Sequence, residues 1–244
     1  MSHPIPPVKP HGDLEDLFPG VWSVTGSMSI GPTTFSRNMQ ILKQGDELVL
    51  VNTVRLDEAR LEALDALGKV THTIRLSGFH GSDDRFYQQR YGCTVWAVKG
   101  HTYFTGVNPA KGTIYFEPDR YLEAGGELPV AGASLHVVNT DPPEGLLRIE
   151  AGGGTLISGD ALQNWGTTDD YFNWLGGAFM KVVGFLKPHN LGPGWVKGCK
   201  PSPTEVAGIL ELGFENVLPS HGSPVIGGAV EKYRPVIEAY VARS

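Results

Sequence analysis

The sequence predicts one α+β domain in which two sheets pack face to face with helices on both outer sides, a four-layer αββα sandwich. With 244 residues, 41% of them hydrophobic, the chain can bury a sizeable core. A strand-rich block followed by an α/β block occurs twice, with no repeat of fixed period and no linker between the halves. We expect residues 1–14 to form an N-terminal tail and residues 15–244 to form the single domain.

The first half of the chain carries clear hairpin and helix signals. The apolar runs 38–43 and 47–53, separated by a Gln-Gly-Asp turn, predict a hairpin. Three leucines at helical spacing predict a helix over 57–67, which Gly68 ends. Ser82 is expected to cap a helix over 83–91, whose first turn holds two acids. Further strands are predicted at 21–28, 71–76, 94–98 and 102–105.

The second half is predicted to add the second sheet and a covering segment. Strands are expected at 135–139, 146–150, 155–158 and 216–218, and helices at 178–186, 204–212 and 229–242. Residues 163–202 are aromatic, glycine-rich and otherwise poorly periodic. Long segments of this kind are usually functional, so we expect this one to cover a cleft, where its rings can be buried.

Charge and cysteine content exclude several classes of partner. The net charge is −6 and no Lys/Arg-rich run is present, which argues against nucleic acid and against acidic membrane lipids. No apolar run approaches the roughly 18 residues of a membrane span. Cys93 and Cys199 cannot make a disulfide framework, which favours a reduced, cytoplasmic location. The expected partner is a small-molecule substrate or ligand.

Four loops that follow predicted strands carry side chains able to bind a metal ion. These side chains are His80, Asp83, Asp84, Asp141, Asp160 and His221. Imidazole and carboxylate groups together suit Zn²⁺, and also Fe or Mn²⁺. A metal held by them would polarise a carbonyl or lower the pKa of bound water towards about 7. This chemistry requires the four loops to converge.

The chain resembles the metallo-β-lactamase superfamily, most clearly in its C-terminal third. Residues 154–160 look like the family strand that ends in Gly-Asp, whose aspartate bridges two metals. Residues 202–225 are similar to the family's helix, strand and terminal Gly-His-Gly loop, with Ser220 in place of the first glycine and His221 at the ligand position. With the opening strands over 20–53, the resemblance covers most of residues 15–243 and implies the αββα fold.

The same resemblance implies a reduced metal site, because the family motif His-x-His-x-Asp-His is replaced here by GFHGSDD at residues 78–84. In one register His80 takes the second histidine position, and Gly78 and Asp83 replace the first and last histidines. In the other, Asp83 takes the aspartate position and Asp84 replaces the last histidine.

Two other family positions also differ. Counting back from Asp160, the family's next histidine falls on Asp141, and Asn52 replaces an aspartate common after the fourth strand. The implied ligand set is therefore at most five residues, holding one ion, zinc or else iron or manganese, or none. Its members are His80, Asp84, Asp141, Asp160 and His221.

Two functions are consistent with this pattern. The first is a metal-dependent, mononuclear hydrolase of an ester, lactone, amide or phosphoester, with Asp160 or Asp83 taking a proton. The alternative is a metal-free, non-catalytic member of the fold that binds a small apolar ligand or a protein partner. The first hypothesis expects His80, Asp160 and His221 to meet in one cleft, whereas well-separated side chains would favour the second.

Overall fold

The computed structural model of the chain describes residues 5–101 and 117–243. Its first half contains β1 (Glu15–Phe18), β2 (Val21–Ile30), β3 (Thr33–Gln44), β4 (Glu47–Val51), α1 (Glu58–Leu67), β5 (Lys69–Arg75), α2 (Asp84–Tyr91), β6 (Thr94–Val98) and β7 (Arg120–Leu122). Its second half contains β8 (Ser134–Val138), β9 (Glu144–Ile149), β10 (Thr155–Ser158), β11 (Leu162–Gln163), α3 (Trp174–Val182), β12 (Asn190–Leu191), α4 (Pro193–Cys199), α5 (Pro203–Gly208), β13 (Asn216–Pro219) and α6 (Ala229–Val241).

Two mixed sheets make the centre of the molecule. Strands β1 to β7 form one sheet in sequence order, antiparallel from β1 to β4 and parallel from β4 to β7. The other sheet has the order β13-β10-β9-β8, in which only β13 and β10 are parallel. Strands β11 and β12 pair separately.

Three apolar layers separate the sheets and helices, and they confirm the predicted αββα sandwich. Between the sheets, Val49 and Ile74 of the first share a buried cluster with Leu147 and Ile157 of the second. On the outer face of the first sheet, Leu61 of α1 packs in the cluster formed by its strands. The corresponding outer cluster of the second sheet contains side chains from α4, α5 and α6. Each sheet is thus apolar on both faces, as a central layer requires.

The local structure departs from the sequence predictions at helices α2 and α3. Ser82 does not cap α2, because the helix begins at Asp84 and the preceding Asp83 makes no side-chain capping bond. Helix α3 lies at 174–182 rather than 178–186, since Asn173 accepts a hydrogen bond from the backbone N–H of Gly176 and starts the helix early. The strand expected at 102–105 lies outside the described residues.

The segment expected to be a tail is docked on the domain from residue 5 onward. The backbone N–H of Gly12 donates to Thr25, and that of Ser27 donates to Pro10, each at 2.8 Å. The ring of His11 accepts a hydrogen bond from the backbone N–H of Asp57 at 2.9 Å. Backbone pairing to β2 therefore fixes the path of this strap, defined here as residues 5–14.

Helix length sets a further limit on the fold. Within residues 5–101 and 117–243, no helix combines the length and the apolar character needed to cross a bilayer.

The inter-sheet layer makes a direct stability prediction. Leu147 is fully buried there, so Leu147→Ala should lower the free energy of unfolding by about 2–5 kcal/mol through lost transfer energy and a residual cavity. Val182→Ala, at a side chain that is 87% exposed, is the control and should change it by less than about 0.5 kcal/mol. Urea unfolding of both variants measures the difference, and equal effects would contradict the layered core.

Candidate metal centre

Three loops at one edge of the sandwich bring His80, Asp160 and His221 together. They follow β5, β10 and β13, respectively. Nε2 of His80 lies 3.3 Å from Oδ2 of Asp160, and Nε2 of His221 lies 3.3 Å from Oδ1. One possible ligand atom from each residue lies within 4.8 Å of the others, and among the described residues no other set of histidine, cysteine or carboxylate groups does so. The predicted convergence of these three loops is therefore present.

The orientation of His221 is fixed by its other ring nitrogen. Nδ1 lies 3.0 Å from the carbonyl oxygen of Ser36. Since a carbonyl can only accept, Nδ1 carries a proton, and this hydrogen bond leaves Nε2 directed at the site. The ring also packs on Trp165, with centroids 4.7 Å apart, and the Trp165 indole N–H donates to the Ser36 hydroxyl. The backbone and a buried indole thus hold the imidazole in a ligand orientation.

The three side chains form a site suited to a cation. Nε2 of His221 and a carboxylate oxygen of Asp160 face each other at 3.3 Å, a separation that a shared proton or a metal ion accounts for. Burial lowers the pKa of His80, which favours its neutral form. Burial alone would raise the pKa of Asp160, but the flanking His80 and His221 hold it well below its usual range. Two imidazoles and one carboxylate suit a proton or a divalent metal.

Two polar side chains that sequence analysis missed support Asp160. The Ser77 hydroxyl donates to Oδ2 of Asp160 at 2.5 Å. The carboxyl of Glu144 accepts from the backbone N–H groups of Asp160 and Ala161, at 2.5 and 3.0 Å. Burial, together with the charge of Asp160, raises the pKa of Glu144 well above its usual range. The only sequence signal for Glu144 is a carboxylate at the start of an otherwise apolar strand.

The loop that carries His221 is tied to the first sheet. The side chain of Asn38 donates to the carbonyls of Pro219 and Gly222, at 2.9 and 2.6 Å. Gly222 has φ +86°, and a Cβ there would lie 2.2 Å from backbone atoms of Asn164. Only glycine allows this close approach. The hydrogen bonds therefore bridge the two sheets where the site forms.

Two of the departures from the family pattern compensate each other. The amide of Asn52 donates to the Ser220 hydroxyl at 2.6 Å, and Ser220 donates onward to the carbonyl of Ser158 at 3.0 Å. The Asn52 carbonyl accepts the backbone N–H of Leu76 at 3.0 Å. A neutral amide and a hydroxyl therefore join the loops without adding charge beside Asp160.

Asp83, expected as a proton acceptor, is held in a buried ion pair. Its carboxylate pairs with the guanidinium of Arg37 and accepts the backbone N–H of Arg55 at 2.9 Å. Both side chains of the pair are buried, at 8% exposed for Arg37 and 3% for Asp83. A carboxylate committed to these donors is poorly suited to accept a substrate proton.

Asp84 and Asp141, the other two expected ligands, stand outside the three-residue group. Asp84 is buried in the first turn of α2 and accepts a hydrogen bond of 2.6 Å from the Thr53 hydroxyl. Asp141 is exposed and precedes a cis peptide bond to Pro142. The first turn of α2 directs Asp84 towards Thr53, just after β4. The turn at Asp141 leaves that side chain in solvent, so neither aspartate joins the group.

The place where the family has its first histidine is closed. A Cβ added to Gly78 would lie 2.4 Å from Cγ of Pro142, well inside van der Waals contact. The residue after Asp141 thus fills the space that a side chain at position 78 needs. This contact couples the two positions at which the family's histidines are missing.

A cavity of about 1150 Å³ opens beside the three residues. The predicted covering segment contributes to its wall, because Phe179, Met180, Phe185 and Trp195 all line it. The other side is formed by β2, β3 and the strap, including Lys9. Sequence analysis missed Lys9 because its segment has no periodicity, and it missed Arg37 because a charged residue within a buried strand is rare.

Comparison with solved structures identifies the fold. The metallo-β-lactamase FIM-1 from Pseudomonas aeruginosa, in its mono-zinc form, superposes with a TM-score of 0.62 at 14% identity over 98% of this chain and 99% of that one. A metallo-β-lactamase from Hirschia baltica gives 0.57 at 18% identity over 92% and 97%. One from Erythrobacter litoralis gives 0.57 at 14% over 95% and 96%. No family model and no curated protein matches the sequence. The chain has the metallo-β-lactamase fold.

The closed position predicts an effect of Gly78→Ala. The added methyl would overlap Pro142, so the variant should lose about 1–3 kcal/mol of stability. Gly166→Ala is the control, because a Cβ at Gly166 meets no atom within 4 Å and should change stability by less than about 0.5 kcal/mol. Urea unfolding measures both. A neutral Gly78→Ala would show that Pro142 yields easily and that the position is open.

The buried ion pair predicts a larger effect. Asp83→Ala leaves Arg37 buried without its counter-charge and should lower the free energy of unfolding by about 3–5 kcal/mol. The double variant Arg37→Met/Asp83→Leu removes both charges and should recover most of that loss. As control, Glu123→Ala removes one partner of the exposed Lys99–Glu123 pair and should cost less than about 1 kcal/mol. Equal losses at Asp83 and Glu123 in urea unfolding would contradict the assignment.

Proposed function

We propose that the protein is a mononuclear metal-dependent hydrolase in which His80, Asp160 and His221 hold one Zn²⁺. The observation that carries the proposal is the convergence of two imidazoles and one carboxylate, in which Nε2 of His80 and Nε2 of His221 each lie 3.3 Å from an oxygen of Asp160. The hydrogen bond from Nδ1 of His221 to the Ser36 carbonyl keeps Nε2 directed at the site. The mono-zinc form of FIM-1, which has the same fold, supports a one-metal arrangement.

The donor set fits zinc. Two imidazole nitrogens and a carboxylate oxygen are the ligands of known catalytic zinc sites, which keep a fourth position for water or substrate. Ligands about 2.1 Å from a tetrahedral ion are roughly 3.4 Å apart, and one possible ligand atom from each of the three residues lies within 4.8 Å of the others before any ion is bound. Such a zinc supplies Lewis acidity that polarises a carbonyl or phosphoryl oxygen and lowers the pKa of water.

The protein's own side chains orient the reactants. Glu144 and Ser77 hold the Asp160 carboxylate, while the Ser36 carbonyl holds the His221 ring. The aromatic wall around Phe179 and Trp195 keeps water away from an apolar substrate, and the Arg37–Asp83 ion pair forms a polar part of the cavity wall. This arrangement suits hydrolysis of an ester, lactone, amide or phosphoester that has an apolar portion.

The size of the cavity favours one alternative. At about 1150 Å³ with an aromatic wall, it would also serve a metal-free protein that binds a small apolar ligand. In that case a proton, rather than a metal, would lie between His221 and Asp160. The two functions differ in metal content, so metal analysis separates them.

Metal content and hydrolysis test the proposal together. Wild type supplied with Zn²⁺ should bind one ion per chain and hydrolyse 4-nitrophenyl esters. His221→Ala and Asp160→Ala should each remove a ligand, lower zinc affinity at least tenfold and abolish the activity. Inductively coupled plasma mass spectrometry after dialysis, together with absorbance at the nitrophenolate band, measures both effects.

His136→Ala is the control, because that histidine lies on β8, outside the three-residue group. It should retain zinc and activity. A wild type that binds no zinc when supplied, or one that binds zinc equally well without Asp160, would contradict the proposal and favour the metal-free alternative.

A further inference from the structure

The charge of the cavity is opposite to that of the protein. The chain as a whole carries −6. Of the side chains that line the cavity, five are cationic and two are carboxylates, so the lining has an excess of positive charge. The cations are Lys9, Arg37, Arg55, Arg75 and Lys197. Concentrated positive charge in a concave, partly apolar site attracts anions.

Most of these cations are already engaged. Arg37 pairs with Asp83. Arg55 donates to the carbonyl of Pro6, and Arg75 donates to the carbonyls of Ser77 and Gly78. These contacts fix the guanidinium groups as parts of the wall, which leaves the two lysines to be considered.

Within the described residues, neither Lys9 nor Lys197 makes a hydrogen bond or an ion pair, but their surroundings differ. Lys197 is exposed on α4, where solvent screens its charge. Lys9 is partly buried, close enough to Arg37 and Asp83 to interact with both charges. Burial, and then the like charge of Arg37, lowers the pKa of Lys9. Lys9 is therefore a partly buried cation that makes no direct ion pair among the described residues, with the nearby charge of Asp83 already paired to Arg37.

The strap holds Lys9 in this place from both sides. Before it, the Pro6 carbonyl accepts from Arg55. After it, the Pro10 carbonyl accepts the backbone N–H of Ser27 at 2.8 Å, and His11 pairs with Gly26. A segment anchored at both ends restricts the positions that the ammonium group can reach, which reduces the entropy lost when a ligand binds.

We propose that Lys9 anchors an oxyanion, a carboxylate or a phosphate monoester, on an amphipathic substrate whose apolar body lies against Phe179, Met180 and Phe185. The inference rests on the proposed function for the reacting bond, which would face His80, Asp160 and His221. Binding of the anion itself requires no metal. The substrate class is therefore an acidic amphiphile with a hydrolysable bond between its two ends.

Isothermal titration calorimetry of the 244-residue chain, without and with zinc, tests this anchor with three probes of equal chain length. These are octanoate, octyl phosphate and 1-octanol. Wild type should bind at least one of the two anions about tenfold or more tightly than the alcohol, the usual effect of one hydrogen bond to a charged group. The preferred anion identifies the headgroup as carboxylate or phosphate.

Variants assign the preference to Lys9. Lys9→Met should reduce anion affinity to that of 1-octanol and leave 1-octanol affinity unchanged, while Lys9→Arg should keep most of the preference. Lys187→Met, which removes the same charge from an exposed lysine outside the cavity lining, should change nothing. Equal thermal melting of Lys9→Met and wild type excludes unfolding, as expected for a side chain without partners.

Three results would overturn the inference. They are no anion preference in wild type, equal loss of all three probes in Lys9→Met, or loss of the preference in Lys197→Met but not in Lys9→Met. None of these results depends on zinc or on hydrolysis. A wild type that binds zinc and hydrolyses esters but shows no anion preference would refute this inference alone, whereas a zinc-free protein with the preference would refute the proposed function alone.

Discussion

The structure around the site depends on one buried charge, the carboxylate of Asp160. A carboxylate taken out of water is costly unless donors or cations surround it. Here the Ser77 hydroxyl donates to it, and His80 and His221 flank its two oxygens at 3.3 Å. Because these three partners come from two different loops and both sheets contribute, satisfying this one charge fixes the relative position of the sheet ends.

The departures from the family pattern form local, mutually compatible sets. The neutral amide of Asn52 donates a hydrogen bond to the Ser220 hydroxyl, so these two replacements fit each other and add no charge. Pro142 occupies the space beside Gly78 that a side chain at position 78 would need. The loss of one histidine therefore goes together with a proline that fills its place. Asp83 is matched by Arg37. Each set leaves the His80, Asp160 and His221 group intact.

The cavity connects this group to elements that are distant in sequence. The strap supplies Lys9, β3 supplies Arg37, and the segment around α3 supplies an aromatic wall. Since Arg37 and Lys9 carry like charges next to a single carboxylate, that side of the cavity is electropositive, while the opposite side is apolar. A binding site with one charged and one apolar wall selects amphipathic ligands by geometry as well as by charge.

The sequence by itself determined the αββα layering, because hydrophobic runs of strand and helix length are local signals that set which faces are buried. It also identified His80, Asp160 and His221, which stand in short loops after strands. Tertiary structure alone decided the rest. Asp84 and Asp141 lie outside the group because helix direction and a turn carry them away. Ser77 and Glu144 support Asp160, and Arg37 and Lys9 line the cavity beside it. The physical reason is that ligand geometry depends on contacts between residues up to about two hundred positions apart, such as Ser36 with His221, which no local pattern encodes.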